Sequence, residues 1–573
     1  MRTHGYAVLV LALVSLGATR EVPLIEAAKQ SDAAAVRALL PTADVQATEP
    51  DGTTALHWAA HRNALAVTDL LLEAGAVATA ANRYGVRPLT LAAENGSAAL
   101  IERLLAAGAD ANGMAPGGET VLLTASRTGN VDAIRVLLAH GADPQAREAL
   151  RGQTPLMWAA VHGNAAAITA LVAAGAEVDA RSMTPPKLRR QGYGYPPPAP
   201  APATSSRGTA APTPVVPGTP QGWQLAHGDA TAAFGALTPV AFAARRGHLD
   251  ALRALLDAGA DVNDTAEVIP ANGQTPILTL AIANGHYEAA ALLLERGADP
   301  NLMDNGWTAL HQLARSRAEP GKSRTNVGWT IGPTMTGTVS GLELAEQLLA
   351  KGANVNTQAT KEFEDYYRHA PVSRIGATPL LMAARVSDAP LIRLLIAHGA
   401  DHTLATKDGM TPLMATAGNG IRSPNEDGID VDAPVALQTM IDLTKPDFET
   451  MNTSDDRGWT PMHGAAYRGN LDVIRILEQN GAVLDLKALP RNGQPPPARA
   501  RTDLGLNETG WLPVQIADGI VVGGIFFRQE PGAQLLRELM AARGLEVPPD
   551  EGLIRGPYID DKANLKRVLD GTN

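Results

Sequence analysis

The sequence predicts an all-α solenoid of about twelve helix–turn–helix units joined by β-hairpin-like turns, and three observations predict it. A turn glycine recurs at 52, 85, 118 and 152, and the same step of 33 residues separates 273 from 306 and 376 from 409. The residues around that glycine recur too. "DGTTALHWAA" at 51–60 returns as "RGQTPLMWAA" at 151–160, "NGWTALHQLA" at 305–314, "IGATPLLMAA" at 375–384 and "RGWTPMHGAA" at 457–466. A second pattern follows most copies, as in "RLLAAGAD" at 103–110, "ALLDAGAD" at 254–261 and "LLIAHGAD" at 394–401. Self-similarity at a short fixed period marks stacked units, none of which buries its apolar face alone.

Each part of the unit has a physical reason. Asp-Gly or Asn-Gly makes the tight turn, because glycine accepts a positive φ. The Thr of T-P-L caps the first helix, and a proline at the first helical position wastes no hydrogen bond. Paired alanines let helices approach closely, and Leu-Leu supplies the apolar face of the second helix. Glycine then ends that helix in the left-handed conformation. A 33-residue period with these parts resembles the ankyrin repeat, and the resemblance covers most of the chain beyond its N-terminal segment. It implies recognition of protein surfaces through hairpin tips and the inner, concave helix face, without a cofactor.

Taken in order, residues 1–18 read as a signal peptide: Arg2 and His4 precede the apolar run Tyr6–Leu16, followed by the small residues Gly17 and Ala18. The run is too short to span a bilayer as a helix; the rival reading is an uncleaved anchor. N-terminal repeats are expected over 21–181, the first of them a capping unit without the turn motif. A Pro-rich low-complexity insertion follows at 182–234, "PPPAPAPATSSRGTAAPTPVVPGTP" at its centre, a composition that suits polyproline II and forbids a core. C-terminal repeats at 235–546 are expected to continue the same solenoid, because the unit before the insertion ends in ordinary apolar residues such as Leu171 and Val172. Two separate domains are the alternative. A polar tail occupies 547–573, and smaller insertions fall at 264–271, 316–340, 358–374, 421–432 and 488–508.

Composition narrows the function. A net charge of −11, with no basic run longer than "KLRR" at 187–190, argues against nucleic acid as the partner. The absence of cysteine excludes disulfides and thiolate metal sites. His57, His311 and His463 share one repeat position and His140 and His398 another, so the histidines read as scaffold and no metal site is expected. Asn425, Asp427, Asp430 and Asp432 gather oxygen donors in one insertion, but without the spacing of a calcium loop. No catalytic motif is present, so the chain is read as non-enzymatic, with no catalytic residues.

The expected function is therefore a protein-binding scaffold of the cell envelope or exterior, periplasmic or secreted, with no stable membrane span after signal cleavage. An inhibitor, immunity or chaperone-like partner of one exported enzyme is an alternative, and a hydrolase built from the insertions is another. Partner-binding residues are sought among aromatics on the hairpin fingers. Trp307, Trp459 and Trp511 directly follow a turn glycine, Tyr84 precedes one, and Tyr366 and Tyr367 sit in a finger insertion. Trp58 and Trp158, at one position of the first helix, read as core. If the export reading holds, N-terminal sequencing of the native protein finds a first residue within a few positions of Ala18. Recovery of Met1 refutes it.

Overall fold

A computed structural model describes residues 23–115, 117–183, 233–269, 273–303, 306–317, 337–361, 373–420, 432–488, 510–522 and 525–549. The export segment 1–18, the central part of the Pro-rich insertion, Tyr366 and Tyr367, the acidic loop up to residue 431 and most of the tail lie outside the described residues. The chain forms two compact bodies, one up to Glu177 and one from Val178.

In the first body ten helices form five pairs: α1 (Pro23–Lys29), α2 (Ala33–Leu39), α3 (Ala55–His61), α4 (Leu65–Glu73), α5 (Pro88–Glu94), α6 (Ala98–Ala106), α7 (Val121–Thr128), α8 (Val131–Ala139), α9 (Pro155–Val161) and α10 (Ala165–Ala173). First helices pack on first helices and second on second, giving two layers. The described part of the second body holds seven more pairs, from Pro239–Arg246 with Leu249–Asp257 to Pro513–Asp518 with Glu530–Ala542. Most of these helices have only 6–10 residues, too few to persist alone in water. Packing holds them. Leu100, Ile101 and Leu104 of α6 are fully buried, and truncating such a residue to Ala costs about 2–5 kcal/mol.

The local chemistry follows the motif. The hydroxyls of Thr54, Thr120, Thr154, Thr238, Thr308, Thr378 and Thr411 each accept from the backbone N–H three residues on. Gly75 closes the second helix at φ 84°, and a Cβ there meets no atom within 4 Å, so backbone conformation alone demands glycine. Thr275 departs from the pattern. It lies in a strand, and the following helix starts at Ile277 with Pro276 as its cap.

Two polar stitches join successive repeats. In the first, the histidine of the T-x-L-H motif bridges its own cap to the next finger. The Nε2–H of His57 donates to the Val86 carbonyl at 3.0 Å, while its Nδ1 accepts from the Thr54 backbone N–H at 3.2 Å and from its hydroxyl at 2.7 Å. His311 reaches Ala377 at 2.9 Å and His463 reaches Trp511 at 3.0 Å in the same way. In the second stitch, a side-chain amide spans two loops. Asn112 donates to the Gly141 carbonyl at 2.9 Å and accepts from the Asp143 N–H at 2.8 Å. Asn301, Asn356 and Asn452 repeat the arrangement, as do Gln46 and Gln145.

Fingers are closed by one recurring backbone bond, from Glu49 N–H to Thr53 O, Asn82 to Val86, Thr406 to Met410 and Asp455 to Trp459. The same bond brackets the insertions: Ser182 donates to Leu237, Ala359 to Ala377 and Ala488 to Trp511. These insertions therefore leave the chain at finger tips. The insertion expected at 264–271 supplies a strand, β2 (Thr265–Ile269), antiparallel to both β1 (Ala233–Gly235) and β3 (Gly273–Pro276), with Phe234 opposite Val268 and Ala266 opposite Thr275. Arg181 and Thr238 bind the Asp264 carboxylate beneath it. In the last pair, β4 (Ile520–Val522) and β5 (Ile525–Phe527) form a short antiparallel hairpin between the helices.

Burial pushes the His311 and His463 imidazoles down to about 4, against an ordinary value of 6.5, and lowers His57 as well. The neutral form is the one the stitch uses, with Nδ1 as acceptor. Between pH 6.5 and about 4 the unfolded chain binds protons that the folded chain refuses, so stability is full above 6.5 and declines as pH falls through this window. Denaturant titrations across these pH values show that decline, and the double variant His311→Leu/His463→Leu, weaker at neutral pH, shows a flatter one. An unchanged slope in the double variant removes the two stitches as its cause.

Candidate protein-binding surface

The structure reverses the expected placement of the tryptophans. Trp307, Trp459 and Trp511, expected on an exposed edge, are buried, and Trp58 and Trp158, read as core, are only partly covered. The reason is the direction of the residue between the turn glycine and the capping threonine. That position points inward, and Leu237, Ala377 and Met410 occupy it elsewhere, all buried. Trp459 packs edge-on against Tyr467, with ring centres 5.7 Å apart, in a cluster with Ala488, Trp511 and Ile516. Trp307 packs edge-on against the stitching His311 at 5.5 Å and donates from Nε1 to the Lys361 carbonyl at 3.3 Å. The apolar residues at this register were legible in the sequence; the inward direction was not.

Of the predicted aromatics within the described residues, Tyr84 alone stands out in solvent. It is 55% exposed at the tip of its finger, with the Arg83 guanidinium over its ring. The next finger presents Met114, 60% exposed, whose carbonyl accepts from Arg87 at 3.3 Å. Tyr84 belongs to the first body and the buried tryptophans to the second.

On the first helices behind these fingers, Trp58 of α3 and Trp158 of α9 hold the same register position, and Leu91 of α5, between them, is also partly covered. Each indole carries a cation from the preceding repeat: the Lys29 ammonium lies 5.0 Å from the Trp58 ring and the Arg127 guanidinium 6.0 Å from Trp158. Burial raises the Glu119 carboxyl above its usual range, with Arg127 opposing the rise and Glu148 and Glu94 adding to it. Charge is sorted between the two layers. Of the ten Lys and Arg in residues 23–177, four (Arg37, Arg62, Arg103 and Arg135) belong to second helices or the loops flanking them, against nine of the fifteen acidic residues, which leaves six of each on the first helices and fingers. The finger side is thus balanced in charge, and the excess of acid in this body lies on and around its second helices.

Among the described residues no cluster of His, Asp or Glu is arranged to hold a metal ion, and no helix is long and apolar enough to cross a membrane. The finger side of the first body presents exposed apolar tips, part-covered indoles and guanidinium groups.

Comparison with known families finds models of ankyrin repeats matching residues 9–82, 24–115, 89–182 and 240–321, and a single ankyrin repeat matching 375–407 and 457–488. A search of curated proteins finds no match.

Replacing buried Trp459 with Ala is expected to cost about 3 kcal/mol or more of stability, since it empties the space between Tyr467 and Trp511. Tyr84→Ala, at an exposed tip, is expected to change stability by less than about 0.5 kcal/mol. Chemical denaturation of the two variants checks this, and equal midpoints would mean that Trp459 is not packing.

Proposed function

The chain belongs to the ankyrin repeat family, whose repeats serve as protein-binding modules, and from that premise we propose that it is a non-enzymatic scaffold exported to the cell envelope or exterior. The partner docks on the finger tips and the first-helix face. The observation that carries this reading is the pair of large apolar side chains, Tyr84 and Met114, held exposed on adjacent fingers that the repeat packing keeps in fixed order. Neither is needed for the fold's interior. Tyrosine is among the residues that dominate interface hot spots, and methionine is enriched in interfaces. Export is supported by Arg2, the apolar run Tyr6–Leu16 and the small residues after it.

The test uses the full chain as bait against native envelope and medium fractions, followed by affinity measurement with the purified captured protein. The double variant Tyr84→Ala/Met114→Ser is expected to weaken binding by about 1–3 kcal/mol while leaving the unfolding midpoint in place. A stoichiometric partner that binds the variant as tightly as the parent would move the interface away from these fingers. Repeated failure to capture any stoichiometric protein would count against the scaffold reading itself.

A further inference from the structure

Two equivalent corners of the first body differ by one carboxylate. At the first, Glu49 bridges two groups: one carboxylate oxygen accepts from the Lys29 ammonium at 2.8 Å, the other from the Trp58 indole N–H at 2.7 Å. At the second, Arg127 stands where Lys29 stands and Trp158 where Trp58 stands, three repeats further along. No carboxylate joins them. The Trp158 Nε1 is buried without a hydrogen-bond partner among the described residues, and the exposed Arg127 guanidinium has no ion pair among them. A buried donor left in this state costs about 1–3 kcal/mol.

The cause lies in the finger. Glu148 holds the backbone position of Glu49, since each donates its N–H to the residue before the capping threonine, Gln153 and Thr53 respectively. The tip at 148–153 is one residue longer than that at 49–53, and it folds back over the carboxylate. The backbone N–H groups of Leu150, Arg151 and Gln153 donate to Glu148 at 2.6, 2.6 and 3.1 Å. The carboxylate that would complete the second corner is held inside its own finger.

Resting on the protein-binding reading above, we propose that the Arg127–Trp158 corner is a carboxylate-recognition subsite, filled by an Asp or Glu side chain of the protein partner. The first corner shows the bound geometry within the same molecule: a carboxylate with one oxygen on a cation and one on an indole N–H. The partner's carboxylate pairs with exposed Arg127 and takes the indole N–H as that guanidinium moves to meet it. The positive charge for it comes from Arg127 itself, which also lies near enough to the Glu119 carboxyl to oppose the rise that burial and the Glu148 and Glu94 charges cause there. A second anchor follows from spacing. Three helix-to-helix steps of 8–10 Å place the two tryptophans roughly 25–30 Å apart. An extended segment laid from the acidic anchor over Leu91 to Trp58 therefore needs about eight or nine residues.

The test selects a phage-displayed library of random twelve-residue peptides on the full chain, then measures the enriched peptides against three variants. Trp158→Phe keeps a ring and removes only the N–H, Arg127→Glu reverses the exposed charge, and Arg135→Glu on a second helix is the control. The expected result is enrichment of peptides carrying Asp or Glu, with affinity falling about tenfold or more in the first two variants and unchanged in the third. Replacing the peptide's acidic residue by its amide is expected to abolish the difference between parent and Arg127→Glu. Enriched peptides that bind all variants equally, or that lack acidic residues, overturn the subsite and leave the scaffold reading standing. No enrichment of any peptide overturns the subsite and counts against the scaffold reading as well.

Discussion

No helix pair in this protein can bury its own apolar face, and helices of seven to nine residues cannot persist unless a neighbour covers them. Stability is therefore a property of the joint between repeats. Apolar packing provides most of it, but packing between similar leucine- and alanine-rich surfaces tolerates sliding. The register is fixed by polar stitches. His57, His311 and His463 satisfy the cap of one repeat and a carbonyl of the next finger at once, and Asn112, Asn301, Asn356 and Asn452 use both ends of an amide to join successive loops. The histidines are buried, so a slip leaves their ring nitrogens unpaired, whereas the more exposed amides lose their partners to water.

The same joints explain how a regular array carries long irregular insertions. The His311 bond spans 66 residues of chain and the His463 bond 48, against 29 for His57, because the first span holds both the stretch between the two helices of its repeat, 317–340, and the finger insertion at 358–374, and the second holds the finger insertion at 488–508. Bracketing bonds from Ser182 to Leu237, Ala359 to Ala377 and Ala488 to Trp511 close the bases of the finger excursions. Once the base is closed, each doubling of loop length costs only about 0.6 kcal/mol. Length can thus vary at the tips while the stitched layers beneath stay regular.

A single residue of tip length changes the chemistry of a corner. At 148–153 the extra residue turns three N–H groups onto Glu148, and a carboxylate that its counterpart Glu49 offers to Trp58 and Lys29 is withdrawn from Trp158 and Arg127. Repeats related by sequence are in this way made chemically different. Sorting of charge adds a second difference, with the excess acid of the first body on and around its second helices and its finger side balanced.

The sequence by itself determined the period, the helix pairs, the caps and the turns, because these depend on residues within one repeat: Thr54 and its N3 partner, Gly75 with its positive φ, Pro155 at a helix start. It also placed His57, His311 and His463 in the scaffold, although the carbonyls they reach lie in other repeats. The directions of the tryptophans were decided only in the tertiary structure. Trp307, Trp459 and Trp511 follow a turn glycine, which in a free hairpin leaves either side open to them; stacking of an adjoining repeat closes one side and turns them inward. Trp58 and Trp158 share a helix position whose outer neighbour is solvent, and nothing within the repeat distinguishes that face from the packed one. Nor does local sequence reveal that Glu49 leaves its finger while Glu148 stays in it, since that depends on which donors the folded tip and the adjoining repeats bring within reach. Local conformation is written in short-range pattern, whereas the exposure and pairing of a side chain are settled by neighbours that only the stacked fold supplies.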